Sequence, residues 1–225
     1  MAARGFVWLG GALFVTSLGL CAWSYGIGMG QVTTFAGWRP GAVDAGLVTL
    51  FALHHSLFAR ERVKDWMARR VPAPLRRSLY VWIASLLLML VSVLWQPIGG
   101  ELYRATGARA FALMATRLAG LWLTVRAVAK IDPLELAGIR PVGPVDGLQV
   151  GGPYRWVRHP LYLGWALMVF GAAHLTGDRL AFAALTTGYL IVAIPLEERS
   201  LRRSFGDDYR RYMRDVPWRM IPFIY

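Results

Sequence analysis

Six apolar runs separated by polar or glycine-rich stretches set the framework of the chain: residues 6–25, 42–58, 79–95, 110–129, 161–175 and 180–196. A helix needs roughly 20 residues to cross the hydrocarbon of a bilayer, so the pattern predicts about six transmembrane segments. The last two runs are short and joined only by Thr176-Gly177-Asp178-Arg179. They are expected to form a helical hairpin that returns the chain to the side it left, whether or not it crosses fully. The 6–25 run is longer than the apolar core of a usual leader and precedes a glycine-rich turn at 26–30, so a retained helix is expected rather than a cleaved signal. Beyond residue 200 the pattern changes. Leu201, Phe205, Tyr209, Tyr212, Met213 and Val216 recur at helical spacing and form one apolar stripe, which predicts an amphipathic C-terminal helix lying on the membrane or on the protein.

Composition agrees with this framework. With 56% hydrophobic residues, 17% charged residues and a mean hydropathy of +0.42, the chain reads as an all-α, polytopic membrane helical bundle. One domain over 1–225 is expected, with a four-helix part at 1–130 and a loop, helical hairpin and tail at 131–225. The single cysteine, Cys21, excludes an intrachain disulfide and a cysteine-ligated metal cluster. The net charge of +12 is unevenly placed: 19 of the 25 Lys and Arg fall at residue 4 and in 60–77, 130–158 and 199–219, which the six-helix framework puts on one side. The positive-inside rule makes that side, with both termini, cytoplasmic, and the localisation an inner membrane. The same charge favours anionic membrane lipid as a partner and gives no soluble patch for nucleic acid. Within 60–77, Trp66 and the interruptions at Pro72 and Pro74 predict a short interfacial helix followed by a turn.

Chemistry is expected where polar and aromatic residues crowd a helix entrance. Gly152-Pro153-Tyr154-Arg155-Trp156-Val157-Arg158-His159-Pro160-Leu161-Tyr162 opens the fifth run, and the sixth ends in Glu197-Glu198. A hairpin brings the two clusters to one membrane surface. Proline fits the first turn of a helix, where its missing N–H is no loss, so Pro160 is expected to hold Arg158 and His159 at the entrance. These residues also have plainer readings: the arginines as topogenic anchors, the aromatics as an interfacial belt, the glutamates as a solvated helix end. A topogenic role, however, has no use for His-Pro-x-Tyr or for two glutamates beside it.

Arg158-His159-Pro160-Leu161-Tyr162, Glu197-Glu198, Phe205-Gly206-Asp207-Asp208-Tyr209-Arg210-Arg211-Tyr212 and Val216-Pro217 together resemble the C-terminal half of the isoprenylcysteine carboxyl methyltransferase and phospholipid methyltransferase superfamily. Phe51-Ala52-Leu53-His54-His55-Ser56-Leu57-Phe58-Ala59-Arg60, Val71-Pro72, Arg77-Ser78-Leu79-Tyr80-Val81 and, more loosely, Leu134-Glu135-Leu136-Ala137-Gly138-Ile139-Arg140 are similar to its nurim-like branch, which includes bacterial methanethiol S-methyltransferases. The resemblance implies a methyltransferase using S-adenosyl-L-methionine. That donor carries an ammonium, a carboxylate, an adenine and a sulfonium. Glu197 and Glu198 are expected to meet the ammonium, Arg158 the carboxylate through its planar fork, and Tyr154, His159 and Tyr162 the nucleoside.

His54 and His55, near the end of the second run, are the candidate catalytic residues for the acceptor, with packing at the interface as the plainer alternative. Neighbours on a helix point about 100° apart, so one of them is expected to face a given site. Adjacent histidines lack the i, i+4 spacing of a helical metal site, and no metal is expected. The acceptor implied is a small molecule or a lipophilic one: a thiol such as methanethiol, giving dimethyl sulfide, or alternatively a prenylcysteine carboxylate or a phospholipid. A non-catalytic, nurim-like membrane protein is the alternative from a different class.

Overall fold

The computed structural model describes residues 2–58, 61–130, 133–140 and 147–225; Ala59 and Arg60 of the histidine-bearing motif and Gly143 of the long connection lie outside the described residues. In chain order the elements are α1 (Ala2–Gly26), α2 (Trp38–Phe58), α3 (Glu61–Arg70), α4 (Ala73–Leu94), β1 (Glu101–Arg104), α5 (Gly107–Val128), α6 (Pro133–Leu136), α7 (Pro160–Phe170), β2 (His174–Thr176) and α8 (Gly177–Asp215). Strands β1 and β2 pair with each other. Helices α1, α2, α4, α5 and α8 are long and apolar enough to cross a membrane, and the chain is a polytopic helical membrane protein.

The fifth apolar run departs from a full span. Its helix, α7, has 11 residues, about 16 Å at the rise of an α-helix and roughly half the hydrocarbon thickness. It stops at Gly171, where α5 comes so close that an added Cβ would lie 2.9 Å from the Arg117 backbone nitrogen. The remaining apolar residues of the run lead into β2 instead.

The chain divides into two compact units. The first comprises Met1–Leu102, Asp132–Gly143 and Thr176–Ala181. In it α4 packs on α1 and α2; Trp82 stacks on Phe6 with ring centroids 5.3 Å apart and donates its indole N–H to the Phe6 carbonyl at 3.0 Å. The first turn of α8 closes this unit. Asp178 accepts hydrogen bonds from the Trp95 indole (2.8 Å) and from the backbone N–H groups of Ile98 (2.9 Å) and Gly99 (3.0 Å). The buried Arg179 donates to the Tyr25 and Gly26 carbonyls, which the end of α1 leaves without helical partners. The basic stretch forms α3, where the Arg70 guanidinium lies 4.7 Å from the centroid of the half-exposed Trp66 ring, and Pro72 starts α4 as its N-cap.

The second unit comprises Tyr103–Ile131, Pro144–Leu175 and Phe182–Tyr225. Its centre is the pair α5 and α7, which meet through Gly120 and Gly164; a Cβ on Gly120 would lie 2.6 Å from the Gly164 carbonyl oxygen, so only glycine permits this approach. Helix α8 bends at Gly206, whose φ of 52° belongs to the left-handed region. The bend falls inside the predicted amphipathic stripe, between Phe205 and Tyr209. The predicted stripe packs on the protein: Tyr209, Tyr212 and Val216 are buried with Leu148, Tyr154, Leu201, Phe205 and Met213 around them, and Tyr212 donates its hydroxyl to the Tyr154 carbonyl at 2.7 Å.

Candidate functional site

The site is assembled in the second unit from the entrance of α7, the part of α8 just past its apolar stretch, and the C-terminal tail. His159 is the N-cap of α7 and Pro160 its first residue, as the sequence predicts. The backbone N–H groups of Arg158 and His159 are held by the tail, at 2.9 Å to the Trp218 carbonyl and 2.7 Å to the Arg219 carbonyl. Both side chains are therefore presented from a fixed backbone.

Arg158 and Glu198 form a buried ion pair. The Arg158 Nε donates to Glu198 Oε1 at 2.7 Å, and its Nη1 donates to the Val216 and Pro217 carbonyls at 2.7 Å each. The two side chains are 4% and 2% exposed. Arg158, expected at the donor's carboxylate, is thus turned inward. Glu198 is engaged from three sides, since Arg219 Nε lies 3.3 Å from its Oε2 and His159 Nε2 3.5 Å from its Oε1. Burial pushes the Glu198 carboxyl up, but the adjacent His159 ring and Arg158 guanidinium outweigh it and hold the group at about 2. It is a carboxylate at any physiological pH.

Glu197 faces outward. Its side chain is 45% exposed, it accepts the Tyr162 hydroxyl at 2.8 Å, and His159 Nδ1 lies 3.5 Å from it. The His159 and Tyr162 rings stack with centroids 5.3 Å apart. Two buried polar atoms, His159 Nε2 at 3.5 Å from Glu198 Oε1 and the Tyr209 hydroxyl beside Arg158, make no well-formed hydrogen bond among the described residues. Burial raises the Tyr209, Tyr212 and Tyr154 hydroxyls above their ordinary range, so all three remain protonated donors. An exposed carboxylate, an aromatic stack, unsatisfied polar atoms and a partly exposed arginine make a donor set that fits an amino-acid nucleoside. The residues that the sequence did not single out are Arg219 and Tyr225. Arg219 Nη1 donates to the Tyr225 hydroxyl at 3.2 Å, and its guanidinium lies 5.2 Å from that ring's centroid.

His54 and His55 lie in the first unit. His54 is buried, and neither ring nitrogen has a hydrogen-bond partner among the described residues. It stacks on Tyr80 at 5.3 Å and against Phe58 at 4.4 Å. His55 is exposed and shares a short hydrogen bond between its Nδ1 and the Tyr80 hydroxyl. The Arg77 guanidinium sits 5.1 Å from the Tyr80 ring centroid. Both histidines therefore converge on one tyrosine, which the sequence offered only as part of a motif. Among the described residues no group of three or more His, Cys, Asp or Glu is placed to hold a metal.

Comparison with known proteins adds to this geometry. A family model described as phospholipid methyltransferase matches residues 108–208. The methanethiol S-methyltransferase of Crocosphaera subtropica is 38% identical over 191 residues, covering 81% of this chain and 74% of that protein. The protein of the same name from Mycobacterium tuberculosis is 37% identical over 191 residues, covering 78% of each chain. Nurim from Pan troglodytes is 34% identical over 181 residues, covering 72% of this chain and 68% of that one. No solved structure matches. Helices, site and relatives define a multi-pass membrane methyltransferase. The chain belongs to the phospholipid methyltransferase and isoprenylcysteine carboxyl methyltransferase superfamily, in the nurim-like branch with the methanethiol S-methyltransferases.

Proposed function

We propose that the protein transfers a methyl group from S-adenosyl-L-methionine to a small thiol such as methanethiol, giving dimethyl sulfide. The observation that carries the donor half is the outward carboxylate of Glu197 beside the stacked His159 and Tyr162 rings, on a backbone fixed by the tail. When bound, the donor supplies an electrophilic methyl on a sulfonium. Glu197 takes the ammonium; Tyr154, His159 and Tyr162 line the nucleoside slot. Pro160 sets the helix entrance, and the Arg158–Glu198 pair holds these groups in place. His55, with His54 and Tyr80, takes the proton of the acceptor thiol, since the thiolate is the competent nucleophile. The choice of a thiol follows the names of the relatives that match most of the chain. Methylation of a lipid or prenylated carboxylate is the second reading, favoured by the description of the family model over 108–208.

Cells that express the protein and are fed methanethiol are expected to release dimethyl sulfide into the headspace, and cells carrying Glu197→Gln to release about 10-fold less or lower still. Labelled donor bound by purified protein, with no dimethyl sulfide formed, would remove the thiol and leave the lipid or carboxylate reading. The clustering of positive charge supports a cytoplasmic position for both termini, on the side where the donor is supplied and anionic lipid would attract the basic segments. A fluorescent protein that matures only in the cytoplasm, fused after Tyr225, is expected to be bright. A dark fusion beside an active periplasmic reporter at the same position would reverse the orientation.

A further inference from the structure

The site contains two arginines and two glutamates, and they fall into an inner and an outer pair. The inner pair, Arg158 and Glu198, is closed: both side chains are buried, and the Arg158 guanidinium is bonded to Glu198 and to two carbonyls of the tail. The pair is neutral and offers no charge to a ligand. The outer pair is open. Glu197 is 45% exposed and Arg219 36% exposed at their side chains. They are joined through the inner pair, Glu197 by way of His159 and Arg219 by its 3.3 Å contact with Glu198.

Arg219 is also fixed in direction. Its Nε meets Glu198, its Nη1 donates to Tyr225, and the Tyr225 ring lies against its guanidinium. Tyr225 is itself tethered, since its carbonyl accepts the N–H groups of Met220 and Ile221 and its own N–H bonds the Ile221 carbonyl. The contacts that fix the guanidinium run through Nε and Nη1, and with the side chain 36% exposed an edge of the planar fork stays available.

We propose that Arg219, rather than Arg158, binds the carboxylate of the methyl donor, while Glu197 binds its ammonium. This rests on the donor reading given above and assigns the amino-acid end of that ligand to the outer pair. An α-amino acid carries one positive and one negative group on a single carbon. An exposed carboxylate and an exposed guanidinium held around a neutral core have the complementary pattern. The tail after residue 216 then serves the site directly: it fixes the backbone of Arg158 and His159, and it supplies the anion-binding side chain.

The test uses two ligands that differ by the carboxylate alone: S-adenosylhomocysteine and its decarboxylated analogue, which keeps the ammonium. Binding to purified, detergent-solubilised protein is measured by calorimetry for wild type, Arg219→Gln and Arg219→Lys, with circular dichroism as the check on fold. Wild type is expected to bind S-adenosylhomocysteine about 10- to 100-fold more tightly than the analogue, in line with a charge-assisted hydrogen bond. In Arg219→Gln the two affinities are expected to converge, with that for the analogue unchanged; Arg219→Lys is expected to retain part of the preference. Glu197→Gln is expected to weaken both ligands alike. Equal losses for both ligands in Arg219→Gln would make Arg219 a structural tie of the tail, and an unchanged preference would return the carboxylate to another residue. Either result overturns the assignment while leaving the donor reading intact. Failure of wild type to bind S-adenosylhomocysteine would overturn the donor reading and this one with it.

Discussion

Replacing Arg158 by alanine is expected to destabilise the protein by about 3–5 kcal/mol, the range for removing one partner of a buried ion pair. The truncation leaves Glu198 charged in a site where its side chain is 2% exposed, and it strips the Val216 and Pro217 carbonyls of their donor. Arg219 and His159 remain near Glu198 and place the expected loss toward the lower end. Most of the cost belongs to the stranded charge, so removing it as well is expected to recover stability: the double replacement Arg158→Met with Glu198→Leu should be less destabilised than Arg158→Ala alone. Denaturant melts in detergent, followed by far-UV circular dichroism, measure both. A double variant worse than the single one would show that the pair stabilises beyond its own electrostatics.

The pH dependence gives a second handle on the same pair. Glu198 is held at about 2 in the folded protein, against an ordinary value of 4.5. A depressed carboxylate contributes stability that is fully present above the unfolded value and is lost as pH falls through the folded one. The stability difference between wild type and Glu198→Gln is therefore expected to be constant above about pH 4.5 and to shrink between there and pH 2.

What the sequence made legible had short-range causes. Pro160 marks a helix entrance by its own covalent geometry, and it stands at the first position of α7. The stripe from Leu201 to Val216 has a helical period, and its residues pack into one cluster although the helix bends at Gly206 between them. Glu197 and Glu198 sit beside His159 because α8 carries the chain back to the entrance of α7. The structure then separates them, one exposed and one buried, a distinction that adjacency in sequence does not carry. What escaped depended on distant partners. Arg219 lies in a segment without periodicity, and its importance comes from Glu198, 21 positions earlier, and from the fold-back of Tyr225. Asp178 and Arg179 read as two polar residues of a four-residue turn, whereas their partners are the ends of α4 and α1. The early end of α7 has the same origin, since Gly171 is constrained by its approach to α5.

The largest expected effect on rate falls on the histidines. Replacing His55 by phenylalanine keeps an aromatic ring beside Tyr80 and removes the Nδ1 that bonds the Tyr80 hydroxyl. General-base assistance contributes about 10²- to 10⁴-fold, so methyl transfer to methanethiol at neutral pH is expected to fall by about 100-fold or more. Donor affinity should stay at the wild-type level, because Glu197, His159 and Tyr162 are untouched. His54→Phe reports on the second ring, which is buried against Phe58 and Tyr80 with both nitrogens unsatisfied among the described residues. A packing role there would leave rate and donor affinity unchanged at equal folded yield, whereas a share in proton transfer would lower the rate alone. The sign of the pH dependence distinguishes proton transfer from positioning. As pH rises the free thiol ionises in solution and the need for a base disappears, so the deficit of a base-deficient variant must narrow. Rates for wild type, His55→Phe and His54→Phe across neutral to alkaline pH, each normalised to folded protein, provide the measurement. A deficit that is the same at every pH would assign His55 to holding Tyr80 in place and move the thiol's proton to another group.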